Sequence, residues 1–166
     1  CTEHLTIVPA LTLILHNIRS SHNVGSIFRT SECAGIKKIF LTGYTPAPSD
    51  NFDRKNKEIS KTALGAEKIV AWEKHEDIFE LIKKLRATSC QLLALEQDEK
   101  SVDYREVKFS DKNSEVALIL GNEVGGIEAE ILALCDQIIE IPMKGEKESL
   151  NVSVAAGIAI FRLLGI

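Results

Sequence analysis

Six short apolar runs, separated by amphipathic or polar stretches, limit the folds open to this chain more than any other feature. They occupy residues 11–15, 38–41, 68–71, 91–95, 116–120 and 137–141. Most are continuous rather than alternating. A strand with one wet face alternates polar and apolar residues, so continuous runs belong in a parallel sheet covered on both faces. The stretches between them can supply the cover. Over residues 24–35, Val24, Ile27, Phe28 and position 31 mark one helical face, with Asn23 a candidate N-cap and Gly35 the stop. Residues 75–86 form a second amphipathic helix and 128–134 a short third. Strand–helix alternation of this kind predicts an α/β fold, a mostly parallel sheet flanked by helices.

The chain has 166 residues, the size of one domain with a real core. Its net charge of −4 argues against a generic polyanion binder and leaves room for a local basic face. That face is expected in residues 43–61, a long polar loop carrying Arg54, Lys55, Lys57 and Lys61. No apolar run approaches the roughly 20 residues of a membrane span, and no signal peptide is visible. The four cysteines, Cys1, Cys33, Cys90 and Cys135, are far apart and without a C-x-x-C pair. They read as reduced, buried thiols of a cytoplasmic protein, with no metal site. The sequon at Asn151 is then irrelevant to glycosylation.

Residues 151–164 form a helix with almost no polar face. A helix apolar all round must be covered all round, and a chain this small cannot do that alone. A two-fold dimer through this helix is the simplest cover.

Three clusters carry candidate chemistry. In "HNIRSSHNVGSIFRTSECAG", residues 16–35, a polar turn leads into a helix whose free amides and positive end favour an anion. Gly25 removes bulk in the first turn, and Arg29 should face outward over the cleared space as a phosphate clamp. In "LGNEVGGI", residues 120–127, a strand ends in a glycine turn bearing Glu123, and glycines permit close backbone approach to a ligand. In "IPMKGEKESLNVSVAAG", residues 141–157, Ser149, Asn151 and Ser153 crowd the start of an apolar helix. Capping needs only one of them, so a pocket at the carboxyl ends of parallel strands is the better use. Neither G-x-G-x-x-G nor the P-loop pattern is present, which disfavours a dinucleotide-dependent oxidoreductase.

Taken together, "NVGSIFRT" (23–30), "LILGNEVGGI" (118–127) and "IPMKGEKESLNVSVAAGIAIF" (141–161) resemble the TrmH/SpoU family of RNA ribose 2′-O-methyltransferases, in the SPOUT superfamily. The resemblance runs from about residue 11 to 166. It implies a C-terminal trefoil knot, S-adenosyl-L-methionine as methyl donor, and a homodimer through the knot and last helix. It assigns cofactor contacts to Gly121, Ile141 and Leu150, with Leu95 near the adenine. It assigns catalysis to Arg29, Asn23, Glu123, Ser149 and Asn151. Because a guanidinium keeps its proton, Arg29 is expected to clamp a phosphate and stabilise oxyanion charge. Ser149, Asn151 and Glu123 are expected to hold the pocket and orient it. About ten residues precede the first strand, so residues 1–166 are expected to be a single methyltransferase domain without a separate N-terminal RNA-binding domain. The implied substrate is RNA, tRNA favoured over rRNA. The alternative, a non-catalytic RNA-binding or assembly factor on this scaffold, is disfavoured because the family's polar residues are all present.

Overall fold

The computed structural model describes residues 9–109 and 115–166. Among the described residues seven strands form one sheet: β1 (Ala10–His16), β2 (Lys38–Thr42), β3 (Ala71–His75), β4 (Gln91–Leu95), β5 (Val102–Asp103), β6 (Glu115–Leu120) and β7 (Gln137–Glu140). Their order is β3-β2-β1-β6-β4-β7-β5, and each neighbouring pair is parallel. Among the described residues four α-helices lie between strands, α1 (Ser21–Ala34), α2 (Lys57–Ala63), α3 (Ile78–Ala87) and α4 (Ala129–Leu132), and α5 (Val152–Leu164) follows the last.

The continuous apolar runs have the predicted cause. Successive strand residues point to opposite faces, and both faces are dry. Leu13, Leu15, Leu93, Leu118 and Leu120 join Val24, Ile27, Phe28, Ala156, Ala159 and Ile160 in a core on the α1/α5 side. The residues between them, Ile14, Leu92, Ala94, Ala117 and Ile119, join Ile78, Leu81, Ile82 and Ile131 on the α3/α4 side.

Several expectations shift. The run 68–71 is not a strand, since Ala66–Lys68 is a 3₁₀ turn and the strand begins at Ala71. β3 is the sheet edge and largely exposed, so its sequence, AWEKH, has no apolar run to read. The second helix starts at Ile78 with Asp77 as cap, leaving His75 in β3. The third is shorter, Ala129–Leu132. The loop 43–61 is ordered and ends in α2, capped by Asn56. Cys90 is buried, Cys33 is exposed and Cys135 lies between; Cys1 falls outside the described residues. Among the described residues no helix is long and apolar enough to cross a membrane.

Helix α1 opens one turn earlier than its apolar face suggests. Ser20, not Asn23, is the N-cap, its Oγ accepting from the Asn23 amide at 3.2 Å. That frees the Asn23 side chain for the site. Gly35 closes the helix in the left-handed conformation, φ 79°. Gly25 does not open space for a ligand. A Cβ there would run into the Ile59 carbonyl and the Thr62 hydroxyl, so the glycine is the seat of α2 on α1.

Candidate active site

The carboxyl ends of β4, β6 and β7 border a cavity of about 540 Å³, where ligands of open parallel sheets sit. Leu95, Gly121, Ile141 and Leu150 line it, as do Glu123, Ser149 and Asn151. The turn after β6 and the segment after β7 are therefore two walls of one pocket. Met143, Val152 and Ala155 add apolar surface, and Glu96, Glu140 and Glu148 add carboxylates.

Asn122 organises the first wall. Its Oδ1 accepts from the Val124 amide at 2.8 Å and the Gly125 amide at 2.7 Å. Its Nδ2 donates to the Asn17 carbonyl at 2.9 Å and the Tyr44 hydroxyl at 2.6 Å. Backbone bonds between Asn122 and Gly126, at 3.2 and 3.0 Å, close the turn. The glycines serve this closure. A Cβ on Gly121 would lie 2.9 Å from the Gly126 carbonyl carbon, and Gly126 has φ 67° with its Cα against the Glu96 carboxylate. Glu96 in turn accepts from the Ile127 amide at 3.0 Å. The close backbone approach is thus within the turn itself.

Glu123 ties this wall to α1. Oε2 accepts from the Arg19 amide at 3.1 Å, and Oε1 from the Ser20 amide at 3.2 Å and Asn23 Nδ2 at 3.2 Å. Burial pushes its carboxyl up, but these donors outweigh it and the net shift is downward. Asn23 Oδ1 accepts from Asn151 Nδ2 at 3.1 Å, which joins α1 to the second wall. Asn151 also caps α5: its Oδ1 accepts from the Ser153 amide at 2.9 Å and the Ser153 hydroxyl at 2.6 Å. The three polar residues at this helix start therefore have separate uses. Asn151 caps, Ser153 braces the cap, and Ser149 lines the cavity without a hydrogen bond to any described residue.

Asn23, Glu123 and Asn151 are brought together in one chain of hydrogen bonds. Arg29 is not part of it. It is exposed in a separate groove with Ser26, Thr30, Cys33, Lys61, Thr62, Leu64 and Phe161, and its guanidinium is bonded to no described residue. Glu123 and Asn151 hold Asn23 rather than orient Arg29. Along the basic segment, Arg54 is paired with Asp50 at 2.6 Å, while Lys55, Lys57 and Lys61 are exposed. Asn122 and Asn17 escape a sequence reading. Asn17 adopts φ 52°, and its Oδ1 accepts from the Tyr44 amide at 3.1 Å. A polar residue in a glycine turn was the available signal for Asn122; two of its partners are in the next turn of chain, but Asn17 and Tyr44 come from distant segments.

A parallel α/β sheet with a walled cavity at its strand ends defines the class, an open α/β fold whose strand ends carry a pocket of ligand size. The comparisons with known proteins are specific. The model of the SpoU rRNA Methylase family matches residues 10–161. A tRNA (guanosine(18)-2′-O)-methyltransferase of Thermus thermophilus is 34% identical over 153 residues, covering 92% of this chain and 73% of the relative. A 23S rRNA (guanosine-2′-O-)-methyltransferase of Xylella fastidiosa is 31% identical, covering 92% of this chain and 57% of the relative. Among solved structures, an AdoMet-bound rRNA methyltransferase from Sinorhizobium meliloti superposes with TM-score 0.82 at 28% identity, over 92% of this chain and 55% of that one. This chain therefore spans little more than half of the last two. It belongs to the SpoU rRNA Methylase family.

Proposed function

We propose that this protein methylates a ribose 2′-hydroxyl of RNA, with S-adenosyl-L-methionine as donor and tRNA favoured over rRNA. The observation that carries the reading is the cavity built jointly by residues 121–126 and 141–152, two segments that also carry the resemblance to these enzymes. Its size suits a ligand of this kind, for which pockets run from about 300 to 1,000 Å³. The donor set fits as well: Leu95, Ile141 and Leu150 offer an apolar slot for an adenine, and Glu96, Glu140 and Glu148 offer carboxylates to a cationic sulfonium and ammonium. S-adenosylmethionine, when bound, supplies a methyl group activated on sulfur. The segment after β7 returning to this cavity is consistent with the trefoil knot.

The chain's own residues divide the remaining work. Glu123 is a poor proton acceptor, because its oxygens are occupied by three donors and its carboxyl is held below the usual range. It positions Asn23 and the turn. Ser149 and Asn151 border the reacting ribose. As the 2′-hydroxyl loses its proton to water, oxyanion charge develops, and Arg29 stabilises it while gripping the adjacent phosphate. Arg29 lies outside this chain's own cavity. It stands instead beside Phe161 on a face where Val154, Ile158 and Phe161 are exposed. We assign that face to a homodimer in which Arg29 of one chain serves the pocket of the other. The test is methyl transfer from labelled donor to total unmodified tRNA, then rRNA, with Arg29→Ala as control. Label recovered as 2′-O-methylnucleoside and lost in the control is the expected result. Failure to bind the donor, with no label, would overturn it in favour of a non-catalytic RNA-binding role.

A further inference from the structure

Beside the donor cavity lies a second recess, lined by Arg19, Tyr44, Asn122, Val124 and Gly125. Asn122 and Val124 border both, so the two are separated by no more than one side chain. Tyr44 is 58% exposed and Val124 is 86% exposed. The loop that carries Tyr44 is pinned. Lys74 Nζ donates to the carbonyls of Gly43 at 2.5 Å and Thr45 at 2.6 Å. The Thr45 hydroxyl donates to the Leu15 carbonyl at 2.8 Å. The Asn17 side chain holds the Tyr44 amide, and Asn122 holds the Tyr44 hydroxyl. An aromatic face is thus held rigid and open to solvent at the rim of the donor cavity. Arg19 is exposed across the recess; its amide is used by Glu123, and its guanidinium is bonded to no described residue.

We propose that this recess receives the base of the nucleotide being methylated, stacked on Tyr44 with its edge toward Arg19. The inference rests on the reading of the neighbouring cavity as the methyl-donor site. An unpaired base is recognised by stacking on an aromatic ring and by hydrogen bonds to its edge. An arginine fork matches adjacent acceptors such as O6 and N7 of guanine. A base lying on Tyr44 puts its sugar at Asn122, the residue shared with the donor cavity, which is where a ribose 2′-hydroxyl has to be.

Two measurements test this. First, tRNA transcripts containing thioguanosine are photocrosslinked to the wild-type protein and the joined peptides sequenced. Attachment at Arg19, Tyr44 or Val124 is expected; crosslinks confined to other segments would overturn the proposal. Second, KM for RNA and Kd for the donor are measured in Tyr44→Ala and Tyr44→Phe. Tyr44→Ala should raise KM about tenfold or more, the loss of one base stack, with donor binding unchanged. Tyr44→Phe keeps the face and loses only the bond to Asn122, so it should stay near wild type. If Tyr44 merely braced the Asn122 turn, the two variants would be equally impaired and donor binding would weaken in both. Absence of methyl transfer by the wild type would sink the donor-site reading, and the crosslink would still decide the recess.

Discussion

At their N-terminal ends α1 and α5 are joined through Asn23 and Asn151, and Glu123 ties the pair to the turn after β6. Further along, the same two helices carry Arg29 and Phe161 in an open groove with no polar bond between them. The first region is complete within one chain: every side-chain nitrogen and oxygen of Asn23, Asn122 and Asn151 has a partner. The second is half of something. It offers a guanidinium bonded to no described residue and an exposed apolar surface, the face proposed above for a second copy. The difference separates a pocket whose walls are tied together by hydrogen bonds from an arginine that, under the proposed function, depends on assembly.

Complementation between defective subunits would break that comparison most decisively. Arg29→Ala alone should lower methyl transfer at least about a hundredfold, the scale of losing one oxyanion donor, with donor affinity intact. Gly121→Val should abolish donor binding, because its side chain meets the Gly126 backbone. Refolded together, the two variants form mixed dimers in which one pocket is intact and faces an intact Arg29. Activity should return to about a quarter of wild type, since half the dimers are mixed and each has one working site. No recovery would put Arg29 back in its own chain's pocket.

Stability measurements sharpen the other side. Asn122→Ala removes four hydrogen bonds from the turn. At about 1 kcal/mol net for each, partly recovered by water, the expected loss is about 2–3 kcal/mol, accompanied by weaker donor binding. Urea unfolding and calorimetry would check both, and a stable variant with normal donor affinity would mean the turn holds itself. Gly25→Ala should cost about 1–3 kcal/mol, because the methyl meets the Ile59 carbonyl and must push α2 off α1. Donor affinity should be unaffected there, as neither Gly25 nor α2 lines the cavity.

These residues also mark what the sequence could disclose. β1, β4 and β6 are readable because burial on both faces forces continuous apolar runs. β3 is not, because an exposed edge strand is free to be AWEKH, and β5 is only two residues long. α2 hid within a basic stretch because Ile59 and Ala63 are its sole buried residues. Seven of the residues lining the cavity, Leu95, Gly121, Glu123, Ile141, Ser149, Leu150 and Asn151, were legible from motif resemblance, whereas the carboxylates of Glu96, Glu140 and Glu148 were not. The bond linking Asn23 to Asn151 spans 128 positions, and two of the four partners of Asn122, Asn17 and Tyr44, lie in distant segments, so no local pattern encodes those contacts. The separation of Arg29 from the cavity is likewise a property of how α1 lies on the sheet. Spacing alone has Arg29 facing outward, as it does; only the resemblance tied it to the pocket.

The smallest effect concerns pH and the strand end beneath the site. His16 is buried at the end of β1, with Nδ1 2.8 Å from the Thr42 hydroxyl and Nε2 3.2 Å from Glu128. Burial lowers its pKa from 6.5, and the pull of Glu128 only partly opposes this. A depressed folded-state value means the unfolded chain binds the proton more readily. The neutral ring's contribution is therefore complete above about pH 6.5 and is lost as pH falls through the lower folded value. Glu123 acts in the same direction, but in the acid range below its ordinary 4.5. The wild type should begin to lose stability through His16 as pH falls below about 6.5, before Glu123 contributes. His16→Gln should flatten that interval and leave the steeper acid loss in place. Equal slopes in the two proteins would mean that Glu128 offsets the burial of the imidazole fully.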